Sequence, residues 1–95
     1  VTAQDFNSVS DLNLKTNIES IENALDTINK MDGYTFNWKS DGEIGIGVIA
    51  QEVEEILPDI VKTNEDSVKS VSYVSIIPVL IEAIKELSNK IDDLQ

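Results

Sequence analysis

Apolar residues recur along this chain with two different periods, and each period predicts an element. The last stretch is the most regular. Ile77, Leu80, Ile84, Leu87, Ile91 and Leu94 follow one another at alternating steps of three and four residues. This is an a/d heptad seam with Ile at every a position and Leu at every d position. It predicts a long C-terminal helix beginning at Ser75 or Ile77, with Pro78 tolerated in a first turn that needs no backbone donor there. Val79, Ile81 and Ala83 widen the stripe near its start, where the helix is expected to pack on its own domain. From Lys85 onward, Glu86, Ser88, Asn89, Lys90, Asp92 and Asp93 leave only the seam apolar. A docked helix normally presents a wider face than a and d, so the seam predicts self-association. The alternative is a terminal helix laid over its own core.

Upstream the pattern changes repeatedly. Val1 to Ser10 lacks periodicity and reads as an extended arm anchored by Val1, Ala3 and Phe6. In Asp11–Ile18, Leu12 and Leu14 alternate with Asn13 and Lys15, which predicts a short half-buried strand or extended segment. Ser20 is the expected cap of a helix over 20–32, with Ile21, Ala24, Leu25, Ile28 and Met31 at helical spacing and Gly33 as the left-handed terminator. Tyr34, Phe36 and Trp38 alternate with Thr35, Asn37 and Lys39, predicting a strand whose rings face the core. Ser40-Asp41-Gly42 is turn chemistry. Ile49, Val53, Ile56 and Leu57 mark a short helix that Pro58 ends. Two β-type runs, 60–63 and 68–71, flank polar Asn64-Glu65-Asp66-Ser67 and predict a hairpin. The predicted class is α+β: a small antiparallel sheet, two short helices and one long C-terminal helix.

Composition narrows what such a fold does. Ninety-five residues support one small core near the lower limit of independent stability, so burial between copies is valuable. The opening at Val1, without an initiating Met, suggests a fragment that continues upstream. There is no Cys, hence no disulfide and no thiol nucleophile. There is no His, which removes a Ser-His-Asp triad and His-bearing zinc sites. Eighteen acids against seven lysines give a net charge of −11, a surface that repels phosphate backbones. Neither a nucleic-acid partner nor a membrane is expected, since no apolar run approaches the ~18 residues of a span.

Few residues remain for chemistry. Gly45-Ile46-Gly47-Val48-Ile49-Ala50 satisfies G-x-G-x-x-A, but the chain is too short for the surrounding βαβ unit. Glu52, Glu54 and Glu55 at the following helix start are also hostile to a pyrophosphate. The glycines are better read as allowing close backbone packing or a bend. The acidic groups at 52–55 and 92–93 read as solvated faces, and Asp41 with Glu43 lacks EF-hand spacing, so no metal or cofactor is expected. The pairing that stands out is Ser10 with Lys15 beside Asp11. A serine hydroxyl needs a base, and a neutral lysine serves once burial lowers its pKa. A bend between them brings the two within hydrogen-bond reach; the competing reading is a solvated strand lysine.

A wider set of residues decides how this pairing is read. It comprises Ser10-Asp11-Leu12-Asn13-Leu14-Lys15-Thr16-Asn17-Ile18, Ala24-Leu25-Asp26 and Tyr34-Thr35-Phe36-Asn37-Trp38-Lys39. Gly47-Val48-Ile49-Ala50-Gln51-Glu52-Val53-Glu54, Leu57-Pro58 and Val79 to Leu87 complete it. The set resembles the C-terminal intramolecular chaperone domain of phage tail spikes, tail fibres and endosialidases. That domain is related to the self-cleaving domain of myelin-regulatory-factor-type proteins. The resemblance covers nearly the whole chain from about Ala3.

The resemblance implies a homotrimer that helps an upstream stalk of the same polypeptide to intertwine and then cuts itself off. By resemblance, Ser10 is the nucleophile, Lys15 its general base, and the cut falls at Ser10–Asp11. Attack by the Ser10 hydroxyl on its preceding carbonyl closes a five-membered ring, whereas attack on its following carbonyl needs a strained four-membered one. The side of the cut therefore stays open. Ile at a with Leu at d by itself leans toward two strands, and the resemblance overrules it in favour of three. The implied layout is an arm over 1–10 ending at the processing site, a globular part over 11–76 and a trimerisation helix over 77–95 with its coiled-coil bundle. The implied setting is a phage fibre or spike precursor made in the bacterial cytoplasm, with the domain absent from the mature virion. Two other readings compete with this one: a non-cleaving oligomerisation module, and a receptor-binding fibre tip.

Overall fold

The structure, a computed structural model, describes residues 7–95. Val1, Ala3 and Phe6, the expected anchors of the arm, lie outside the described residues. The class is α+β, as the pattern predicts, but the strands form two separate antiparallel hairpins instead of one sheet.

In the first hairpin β1 (Tyr34–Asn37) pairs with β2 (Ile44–Gly47), setting Tyr34 opposite Gly47 and Phe36 opposite Gly45. Its turn uses the expected chemistry. Asp41 Oδ1 accepts from the Glu43 amide at 2.9 Å, and Gly42 takes the left-handed φ of 77° that a Cβ would resist. The pairing also explains the glycines of β2. A Cβ on Gly45 would lie 2.5 Å from the Phe36 ring, and one on Gly47 would strike the Tyr73 hydroxyl. They admit aromatic rings against the backbone, the close-packing role expected of them. The rings themselves are less buried than their alternation predicts. Tyr34 and Phe36 are half-buried, while Trp38 is exposed beyond the strand end and meets Phe36 edge-on at 5.0 Å.

In the second hairpin β3 (Val61–Thr63) pairs with β4 (Lys69–Val71), as predicted. Asn64 Oδ1 organises the turn by accepting from the amides of Asp66 and Val68 at 2.8 and 3.0 Å.

Among the described residues three α-helices complete the fold: α1 (Ala24–Asn29), α2 (Ala50–Ile56) and α3 (Ile76–Asp93). In α2 Val53 is buried and Pro58 follows the C-cap Leu57, matching the sequence reading. Helix α1 is much shorter than the 20–32 its periodicity predicts. Its cap is Asn23, not Ser20, and Asn23 sits in the left-handed region with φ 58° and no side-chain capping bond. The missing cap comes from far along the chain. The Glu86 carboxylate of α3 accepts from the Ala24 amide at 2.9 Å and from the Leu25 amide at 3.1 Å. Those are two of the orphan donors at a helix start, and the positive end of the helix suits a carboxylate. At the other end Gly33 is not left-handed. The last turn instead tightens, with the Lys30 amide reaching Ile28 and Thr27 carbonyls and the Met31 amide reaching Ile28 at 3.0 Å.

The core is small. Among the described residues only Ala24, Val53, Val79 and Ala83 are fully buried hydrophobics, with Leu25, Ile28 and Leu57 packed against the α1–α3 contact. At about 100° per residue, Val79, Ala83 and Glu86 share one face of α3, and the heptad seam centres about 90° around the helix from it. The start of α3 thus packs on its own domain through one face. The seam lies on another, with Ile77 54% and Ile84 65% exposed.

Candidate functional site

Residues 7–23 are all exposed, and backbone hydrogen bonding holds the first part of this stretch locally. The extended segment expected over Asp11–Ile18 is interrupted by a 3₁₀ turn at Leu12–Leu14. The alternation of leucines supplied a strand pattern, but no strand among the described residues pairs with it. Asp11 offers the backbone a competing arrangement instead. Its Oδ1 accepts from the Asn13 amide at 2.8 Å, its carbonyl accepts from the Leu14 amide at 3.0 Å, and the Leu12 carbonyl accepts from the Lys15 amide at 3.1 Å.

The turn folds Lys15 back over Ser10. Lys15 Nζ donates to Ser10 Oγ at 2.7 Å, the contact a Ser–Lys pair requires. Ser10, Asp11 and Lys15 are therefore brought together, and all three remain open to water. The chemistry such a pair performs is acyl transfer, with the amine taking the hydroxyl proton when it is itself neutral. In the described arrangement the amine is the donor, so catalysis needs that bond reversed, and the burial that the sequence reading required of a lysine base is absent from this protomer.

The second candidate surface is the seam of α3. Ile77, Leu80, Ile84, Leu87, Ile91 and Leu94 are all exposed, forming a continuous apolar line along the helix. A row of six large aliphatic side chains in water is costly, at roughly 1.5–3 kcal/mol for each that a partner could fully bury.

The site and its scaffold come from a recognisable family. The sequence model of the chaperone of endosialidase matches residues 10–62, beginning at Ser10 itself. The chain belongs to this family of chaperone domains. It is also similar to long tail fibre proteins. With that of Enterobacteria phage K3 it is 35% identical over 96 residues, covering 90% of this chain and 8% of the fibre protein. With that of Salmonella phage S16 it is 33% identical over 106 residues, covering 100% of this chain and 14% of the other. A third, from Enterobacteria phage M1, is 33% identical over 103 residues, covering 95% and 41%. The chain thus spans less than a sixth of the K3 and S16 proteins.

Other polar groups support the scaffold. Glu86 reads in sequence as one more solvated flank of the heptad, yet it closes the start of α1. Nothing in the local pattern links it to residues about sixty positions away. The acidic cluster of α2 is likewise more than a solvated face. Glu52 accepts from the Tyr34 hydroxyl at 2.9 Å, and Glu54 pairs with Lys69 at 3.0 Å. The hydrogen bond to Glu52 holds the Tyr34 pKa above the usual tyrosine value, with weaker contributions from desolvation and from the charges of Glu52 and Asp32. Tyr73 Oη accepts from the Val48 amide at 3.1 Å, tying the loop before α3 to the first hairpin.

Proposed function

We propose that the chain is a self-releasing intramolecular chaperone of a phage tail fibre or spike. Three copies associate through the α3 seam and hold the ends of three upstream stalk segments in register. The domain then detaches by cleavage at Ser10/Asp11. Ser10 is the nucleophile and Lys15 the general base, with no cofactor. The layout is an arm up to residue 10, a globular part over 11–76 and an assembly helix over 77–95. The protein is synthesised in the host cytoplasm, and the domain is lost from the finished particle.

The observation that carries the cleavage is the 2.7 Å approach of Lys15 Nζ to Ser10 Oγ in a chain of this family. The exposed seam and the small core of the described residues support the assembly step, because a protomer so poorly buried gains most from partners. Joining three chains at one end raises their local concentration to roughly millimolar, which favours stalk winding over encounter in solution. Removing the domain afterwards makes the assembly kinetically irreversible, since nothing remains to mediate unwinding.

In the hydrolysis, one water is consumed, the leader gains a carboxylate and the released part a free amine. Lys15 takes the Ser10 proton as Oγ adds to the scissile carbonyl, and the proton passes to the departing amine as the C–N bond breaks. Water then hydrolyses the resulting ester and regenerates the Ser10 hydroxyl. At Ser10–Asp11 that ester is the strained four-membered ring, so the mass of the released fragment decides the side of the cut. A mass measurement tests all of this on the chain carrying an N-terminal tag. The expected products are a tagged leader ending at Ser10 and a fragment over 11–95. Ser10→Ala and Lys15→Ala each leave one uncut mass. A fragment over 10–95 would move the cut to the five-membered-ring side. A wild-type chain that stays whole while light scattering reports a trimer would reduce the domain to a non-cleaving oligomerisation module.

A further inference from the structure

We infer that Asp11 is a positioning residue for the Ser10–Lys15 pair, shaping the turn that returns the lysine to the serine. The inference rests on the cleavage reading above. In an extended segment, residues five apart lie roughly 16 Å from each other, beyond the reach of one lysine side chain. Something must bend the chain between them.

Packing does not do so, because Leu12 and Leu14 are 69% and 74% exposed. The turn stands on local hydrogen bonds. Asp11 Oδ1 closes its first residues through the Asn13 amide at 2.8 Å, and the Leu14 and Lys15 amides follow at 3.0 and 3.1 Å. Lys15 leaves the turn extended, with φ −120° and ψ 152°, and its side chain then reaches Ser10 Oγ. Asp11 and Lys15 supply the side-chain hydrogen bonds described within 10–15, one making the turn and the other using it.

The cap has a second effect. A carboxylate resting on the Lys15 amine would hold the proton there and keep it from acting as a base. Among the described residues the ion pairs are Lys69–Glu54 and Lys85–Glu82, so Asp11 is not paired with Lys15. Its carboxylate is directed to the backbone instead.

The experiment is a time course of intact mass for the tagged chain at fixed pH. Asp11→Ala, which loses the cap, is expected to slow release about five-fold. Asp11→Ser and Asp11→Asn, which cap without charge, are expected to stay within about two-fold of the parent. Far-ultraviolet circular dichroism should be the same for all, since residues 7–23 are exposed. Parent-like release by Asp11→Ala overturns the inference and leaves the cleavage reading intact. So does release by Asp11→Ser and Asp11→Asn as slow as that of Asp11→Ala. An uncut parent chain overturns both.

Discussion

Removing the Glu86 carboxylate should loosen the whole α1–α3 contact, although the residue sits on a helix that its sequence pattern marks as solvated. In Glu86→Ala the amides of Ala24 and Leu25 lose their acceptor. Ala24 is fully buried, so water cannot replace the carboxylate there without opening the core. A lost cap costs about 0.5–2 kcal/mol. A buried amide left unsatisfied costs roughly 1–3 kcal/mol. These are overlapping descriptions of one loss, so we expect about 2–3 kcal/mol in total. Glu86→Gln keeps one oxygen acceptor and no charge, and should lose about half as much. For a domain of this size each kcal/mol moves the midpoint by roughly 4–8 °C. Urea unfolding followed by circular dichroism measures the effect, with all variants compared at one protomer concentration because assembly contributes to the midpoint. Lys85→Ala is the control, because its 3.4 Å pair with Glu82 is exposed on the lysine side and should contribute under about 1 kcal/mol. The reasoning fails if Glu86→Ala unfolds within about 0.5 kcal/mol of the parent, or no lower than Lys85→Ala.

Further outcomes follow from the same contacts. Gly47→Ala drives a methyl into the Tyr73 hydroxyl, and thermal melts should show a loss of about 1–3 kcal/mol; an unchanged midpoint would mean that the ring moves aside freely. Because the Tyr34 pKa is raised in the folded chain, its stabilising bond to Glu52 is fully present below the ordinary tyrosine value of about 10 and is lost as pH rises through the folded value. The stability difference between parent and Tyr34→Phe should therefore shrink between pH 8 and strongly alkaline solution, and a constant difference would remove the bond from the account. Ile84→Asp places a charge in the exposed seam, opposite no buried contact of its own chain, so light scattering should report dissociated protomers with helix content largely kept. If that variant assembles like the parent, the seam is not the interface.

What the linear pattern determined is what depends on neighbours within a few residues. The second hairpin, the Gly42 turn, the Pro58 stop and the length of α3 are such cases, because turn residues and periodicity act through local backbone geometry. The Ser10–Lys15 pairing was also legible, since five residues and one bend contain it. The heptad seam stood out because its side chains stay in water, so nothing in the protomer blurs the period. Tertiary structure decided the rest. Leu12 and Leu14 alternate like a strand, but a strand exists only when another pairs with it, and none among the described residues does. Ile21 continues the helical period of α1, yet Asn23 turns left-handed and the helix starts where Glu86 supplies an acceptor. Whether a carboxylate is solvent-facing or a cap depends on which amides the fold brings to it, and pairings across some sixty residues leave no trace in local order.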